Sequence, residues 1–155
     1  MRLVPSVLLA CALLSLPAAA CDLPARADAL RDAVLAQVNA ERSAKGLRAL
    51  TAAAALTQAA QSHACDSATR NRMGHDGSDG STLATRVKRE GYRFREVAEN
   101  VAQGYPSVES VMQGWMASTG HRKNILSSGV QQAGVGIAIG SNGDLHWVLN
   151  LGRPH

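Results

Sequence analysis

Aromatic side chains are scarce in this chain. One phenylalanine, two tryptophans and two tyrosines cannot make a platform for stacking nucleobases. Any core must therefore be filled by Val, Leu, Ile, Ala and Met around two indoles. Runs of one charge are missing as well: the formal charge of +4 comes from Lys and Arg scattered among acids. The densest basic cluster, Arg86, Lys88, Arg89 and Arg93, is too short to track a phosphate backbone, which argues against nucleic acid as a partner. Beyond residue 20 no apolar stretch approaches the ~20 residues that span a bilayer, so no transmembrane helix is expected. What remains is a chain of 155 residues, 46% hydrophobic, enough for one domain around one core.

The N-terminus has the pattern of an export signal. Residues 1–20 carry Arg2, an apolar run from Val7 to Leu14, a break at Pro17 and the small residues Ala18, Ala19 and Ala20, so they read as a signal peptide. The protein is then periplasmic or extracellular, with residues 21–27 as an N-terminal segment and 28–155 as the folded domain. Of three cysteines, Cys21 and Cys65 remain after cleavage, and an exported pair can form a disulfide. The alternative is a lipobox ending at Cys21, whose acylation would make the protein a lipoprotein; Ala18 stands where such a motif usually has Leu. If the first two helices are an antiparallel pair, Cys65, near the end of the second, lies beside Cys21 at the start of the first. The disulfide is the preferred reading.

Within the domain, Leu30, Val34, Leu35 and Val38 mark an amphipathic helix over 25–45 closed by Gly46. Asn39 and Arg42, one turn apart on it, read as a structural hydrogen-bonding pair. Thr51 is a candidate N-cap for a second, alanine-rich helix over 52–69, where His63 shares a face with Leu56, Ala59, Ala60 and Ala64 and reads as a hydrogen-bonded packing histidine. Residues 71–80 form a loop presenting His75, Asp76 and Asp79, without the glutamate that a helix-loop-helix calcium site requires. A short helix follows, capped by Ser81 or Thr82, with Leu83 and Val87 inward and Gly91 as its stop.

Residues 92–104 fit neither the helical nor the strand period. Glu99 sits there among Val97, Ala98, Val101 and Ala102. It must either face solvent on an edge strand or meet a cation or a histidine, because an uncompensated buried carboxylate is costly. Val108, Val111, Met112 and Trp115 then define one face of a helix starting near Ser107, which Thr119 and Gly120 end, placing His121 on a turn. Finally, residues 134–140 alternate as a strand, Asn142-Gly143 signals a hairpin, and Leu145, Trp147, Leu149 and Leu151 form the inward face of the returning strand. His146 and His155 read as surface residues.

Five strings in this order carry a resemblance: Val38-Asn39-Ala40-Glu41-Arg42; Gly74-His75 followed by Gly80-Ser81-Thr82; Ala98-Glu99-Asn100-Val101-Ala102; the stretch 115–126 with its Gly120-His121-Arg122-Lys123-Asn124-Ile125-Leu126 core; and Ala133-Gly134-Val135-Gly136. Together they resemble the CAP superfamily, or SCP domains, over about residues 28–152. That resemblance implies an α+β fold: a three-layer α-β-α sandwich with a small antiparallel sheet, about four helices and a central cavity open to solvent. In many eukaryotic members two histidines and two glutamates line the cavity and can hold a divalent cation. By motif His75, Glu99 and His121 correspond to three of these, and Ser118 stands where the second glutamate would be. A cavity of His75, Glu99, Ser118 and His121 is thus expected, with His75, Glu99 and His121 as the metal ligands, zinc first among divalent candidates. The leading functional expectation is a non-catalytic exported binding module for a small molecule, lipid, glycan or protein. The alternative is a metal-dependent, peptidase-like hydrolase in the same cavity. A serine nucleophile at Ser118 lacks the Gly-x-Ser-x-Gly elbow and an orienting acid.

Overall fold

A C-terminal hairpin forms the frame of the domain in the computed structural model, which describes residues 21–155; the expected signal peptide lies outside the described residues. Strand β3 (Gln132–Ile139) returns as β4 (Leu145–Pro154) in antiparallel register. Between them Gly143 has φ 83°, a left-handed conformation that glycine adopts without a Cβ clash. Strand β2 (Phe94–Gln103) pairs antiparallel with the other side of β4. The two-residue β1 (Thr51–Ala52) pairs in parallel with β3, giving the order β1-β3-β4-β2. The sheet is therefore mixed rather than wholly antiparallel, and β2 is an edge strand. Thr51 does not cap a helix: its amide donates to the Gln131 carbonyl, and α2 (Ala54–Thr69) starts behind an extended Ala53 with no side-chain cap.

Alternation along β4 sorts the two faces of the sheet. Trp147, Leu149 and Leu151 join Val135 and Ile137 under Val34 and Val38 of α1 (Ala27–Ser43) and under Val111, Met112 and Trp115 of α4 (Val108–Ala117). On the opposite face Val148 and Ala138 lie under Ala60, Ala64 and Ala68 of α2. The short α3 (Leu83–Arg89), capped by the Thr82 hydroxyl, packs beside α2. Helices cover both faces, which is the expected α-β-α sandwich. Five helices are described rather than four, because α4 ends at Ser118, at φ −84° and ψ 125°, and the residues expected as a turn form a further helix, α5 (Thr119–Ile125). His121 accordingly sits inside a short helix, not on a turn.

Cys21 and Cys65 are joined, with Cα atoms 5.4 Å apart, within the usual span for a disulfide. The reason differs from the one the sequence suggested. Helices α1 and α2 occupy opposite layers and are not a pair. Instead the segment before α1 runs along the end of β3, where the Ile139 amide donates to the Asp22 carbonyl at 2.8 Å, and this brings Cys21 to α2.

Asn39 and Arg42 are structural, yet they do not bond each other. Asn39 exchanges hydrogen bonds with the backbone of Leu50. The buried Arg42 donates to the carbonyls of Arg48, Ile125 and Ser127, placing its charge at the C-terminal end of α5 where the helix dipole favours a cation. His146 corrects another expectation: it is fully buried, because both faces of β4 are covered and no position along its centre is wet. Neither of its ring nitrogens has a hydrogen-bond partner among the described residues. His155 is exposed.

Candidate functional site

Glu99 is the centre of the polar cluster. On β2 it follows Ala98, which packs in the α1/α4 core, and precedes Val101 on the α2 side; strand alternation thus turns the Glu99 side chain toward α2 and α3. Its side chain is only 2% exposed, which is tolerable because partners converge from three elements. Arg86 of α3 donates from Nη2 to Oε2 at 2.7 Å. His75, in the loop after α2, meets Oε1 through Nδ1 at 3.0 Å. A carboxylate only accepts, so His75 donates from Nδ1. With the amide oriented to satisfy its neighbours, Asn150, the cross-strand partner of Glu99, donates to Oε2 at 3.1 Å and accepts from the Ala60 amide at 3.2 Å. Glu99 is neither a solvated edge residue nor a free base.

Two members of this cluster were not among the expected cavity residues. Arg86 belonged to the densest basic cluster of the sequence, but it is buried and donates from Nη1 to the carbonyls of His75 and Ser81 as well. The rest of that cluster is dispersed: Arg89 pairs with Asp79 and Lys88 lies over the Phe94 ring. His63 is the packing histidine the sequence suggests, with Nε2 2.8 Å from the Gly74 carbonyl, so that nitrogen carries the proton. The same atom is 4.0 Å from Glu99 Oε1. The signal for Arg86 is its inward register with Leu83 and Val87, since an inward arginine needs an acid.

His121 arrives from the other layer. Asn100, one residue after Glu99 and so on the opposite face of β2, donates to the His121 carbonyl at 3.0 Å, and Asn124 donates to Asn100 Oδ1 at 2.9 Å and to the Glu99 carbonyl at 3.3 Å. These amides hold α5 to the edge strand. His75 and His121 thus approach around the edge of the sheet, near enough that a charge on His75 disfavours one on His121. Ser118 lies at the α4–α5 break, half-buried, and among the described residues no hydrogen bond joins its hydroxyl to His121. The groove nearest Glu99, about 340 Å³, runs between α2, α3 and residues 77–81. His63 and Arg86 line it; His75, Glu99, Ser118 and His121 do not.

Comparison with known proteins agrees with this fold. Residues 35–151 match the Cysteine-rich secretory protein family, CAP. The chain belongs to that family. It is similar to the uncharacterized protein YkwD of Bacillus subtilis, 32% identical over 113 residues that make up 73% of this chain and 44% of YkwD. It is also similar to the uncharacterized membrane protein YlbC of the same organism, 29% identical over 67% of this chain and 30% of YlbC. The chain thus spans less than half the length of either relative. Among solved structures it resembles an extracellular protein containing a SCP domain from Bacillus anthracis, with a TM-score of 0.74 and 27% identity over 81% of this chain and 41% of that one. An outer surface protein from Borrelia burgdorferi superposes with a TM-score of 0.77 over 86% of this chain and 97% of that one, at 16% identity, a likeness of fold.

The expected metal set of this CAP domain does not fit an ion as the side chains stand. Both Glu99 oxygens already accept hydrogen bonds, one from a guanidinium, so the carboxylate is engaged by protein donors. Among the described residues no three His, Cys, Asp or Glu side chains are grouped to hold a metal.

Three histidines of the CAP domain, His63, His121 and His146, have pKa values lowered from 6.5, in each case mainly by burial. The unfolded chain therefore binds more protons than the folded one below about pH 6.5, so stability is highest above that value and falls as pH drops through it. Asp66, Asp79 and Glu109 have lowered pKa values too, but their contribution is lost only below about pH 4. Denaturant unfolding is thus expected to give a lower free energy at pH 5 than at pH 7.5. A flat or inverted dependence would contradict this reading of the histidines.

Proposed function

We propose that this chain is an exported CAP-domain binding module, presenting the polar face of His75, Glu99 and His121 to a small molecule, lipid, glycan or protein partner without turning it over. The observation that carries this reading is the occupancy of Glu99: a carboxylate 2% exposed, held by Arg86 and His75, is committed to protein donors and shut off from a substrate proton. The Ser118 hydroxyl, where an acid would complete a four-residue cage, supplies no substitute base. Export is supported by the leader-like residues 1–20 and by the Cys21–Cys65 bridge, since disulfides persist in oxidising compartments. The bridge also favours a Cys21 that is not acylated, because one sulfur cannot hold both bonds.

One observation favours hydrolysis as the second reading. His75 is oriented by Glu99 through Nδ1, while its side chain is 61% exposed, so Nε2 is available as a base in the manner of a carboxylate-oriented histidine. Casein and a chromogenic acetate ester, incubated with the mature protein and its His75→Ala variant with and without chelator, separate the two. The binding-module reading expects no difference between the proteins. Turnover that disappears with His75→Ala establishes the hydrolase, and its sensitivity to chelator says whether a metal takes part.

A further inference from the structure

We infer that Arg86 is the resident cation of the CAP site in this chain, a positioning residue whose guanidinium takes the electrostatic place of a divalent ion and thereby excludes one. Three observations converge on it. First, the charge is internal and buried: Arg86 is 6% exposed, and its Nη2 lies 2.7 Å from Glu99 Oε2. Second, the same guanidinium gathers the elements that a bound ion would otherwise have to gather. Nη1 donates to the carbonyls of His75 and Ser81 at 3.0 and 2.9 Å, so one side chain of α3 fixes the loop that presents His75 as well as the carboxylate on β2. Third, the carboxylate that Arg86 holds as an acceptor takes a proton from His75 Nδ1, while His63 donates from Nε2 to the Gly74 carbonyl, so both imidazoles are oriented by protein partners.

A dication arriving at Glu99 and His75 would face a fixed positive charge across one carboxylate, and the carboxylate and guanidinium are both buried from the water that would screen the repulsion. Removing the charge while keeping donors to Glu99 should therefore open the site. Glu99 would then be an uncompensated carboxylate with His75 at 3.0 Å and His63 at 4.0 Å, and two imidazoles with one carboxylate are donor types that zinc accepts. The inference shares its site with the binding-module reading but not its test: one stands on metal uptake, the other on turnover.

Zinc is titrated calorimetrically into the mature protein and into its Arg86→Gln, Arg86→Lys and Arg86→Gln/His75→Ala variants, with circular dichroism as the control for folding. The wild type and Arg86→Lys, which keeps a cation, are expected to show no histidine-dependent uptake. Arg86→Gln should bind zinc about 100-fold more tightly or better, and the added His75→Ala should abolish that gain. One zinc bound per wild-type chain at micromolar metal would overturn the inference, and that measurement stands whether or not any variant folds. A folded Arg86→Gln that binds no better than wild type would overturn it as well.

Discussion

Replacing Arg86 with Met is expected to lower the unfolding free energy by about 3–5 kcal/mol, the cost of leaving one member of a buried ion pair without the other. Glu99 is 2% exposed and Arg86 6%, so water cannot take over from the missing guanidinium, and the carboxylate must either protonate or drag the edge strand open. Glu99→Leu alone should be similarly costly, because Arg86 would keep only the carbonyls of His75 and Ser81. The double variant should recover most of the loss, since replacing both charges removes the desolvation penalty together with the attraction. Urea unfolding of the four proteins at pH 7.5 gives the coupling directly. If the two single costs simply add in the double variant, Arg86 and Glu99 do not act as a pair.

Gly136→Ala is expected to destabilise the protein by about 1–3 kcal/mol or more, although alanine is the smallest side chain available. A Cβ at Gly136 would overlap the backbone carbonyl of Ala60 and the amide of Gln61, and one at Gly134 would overlap the backbone of Leu56 and Thr57. Those are main-chain atoms of α2 and cannot rotate away. The helix lies so close because Ala60, Ala64 and Ala68 present little more than Cβ atoms to the sheet, and moving it would displace His63 from Glu99. Gly74→Ala and Gly120→Ala are the matched controls, since nothing lies within 4 Å of a Cβ at either position. Thermal unfolding should separate the two groups clearly; equal midpoints would mean that α2 can withdraw from β3 at little cost.

These two expectations bear on how much of the molecule its sequence discloses. The hairpin is legible because its signals are local: Asn142-Gly143 sets the turn, and the alternation of Leu145, Trp147, Leu149 and Leu151 sets the face. The buried stripe of Val108, Val111, Met112 and Trp115 is legible for the same reason. What local pattern cannot reveal is pairing across the chain. Thr51 and Ala52 become a strand only because β3 offers an edge far along the chain, at Gln132 and Ala133, while Thr51 by itself resembles a helix cap. His146 looks like an outward strand residue, and only the layer of α2 over that face makes it buried.

The candidate site divides along the same line. His75, Glu99 and His121 could be named from short strings; the structure joins His75 to Glu99 and ties the His121 backbone to Asn100. Their electrostatics could not be read from those strings, because the deciding partner is Arg86, which in sequence belongs to a surface-like run of basic residues. Its register beside Leu83 and Val87 on α3 points inward, but the acid it meets is fixed only by the packing of α3 against β2. A site that resembles a metal cage in its residue types is, in its geometry, a carboxylate neutralised from within.

The protonation of the histidines is where that claim is most exposed to measurement. Long-range ¹H–¹⁵N correlation of the imidazole rings at pH 7.5, assigned with His63→Phe and His75→Phe, reports which nitrogen of each ring carries its proton. The Nδ1–H tautomer is predicted for His75, donating to Glu99, and the Nε2–H tautomer for His63, donating to Gly74. A His75 protonated on Nε2, or spectra of both rings that change when stoichiometric zinc is added, would contradict a site neutralised by Arg86.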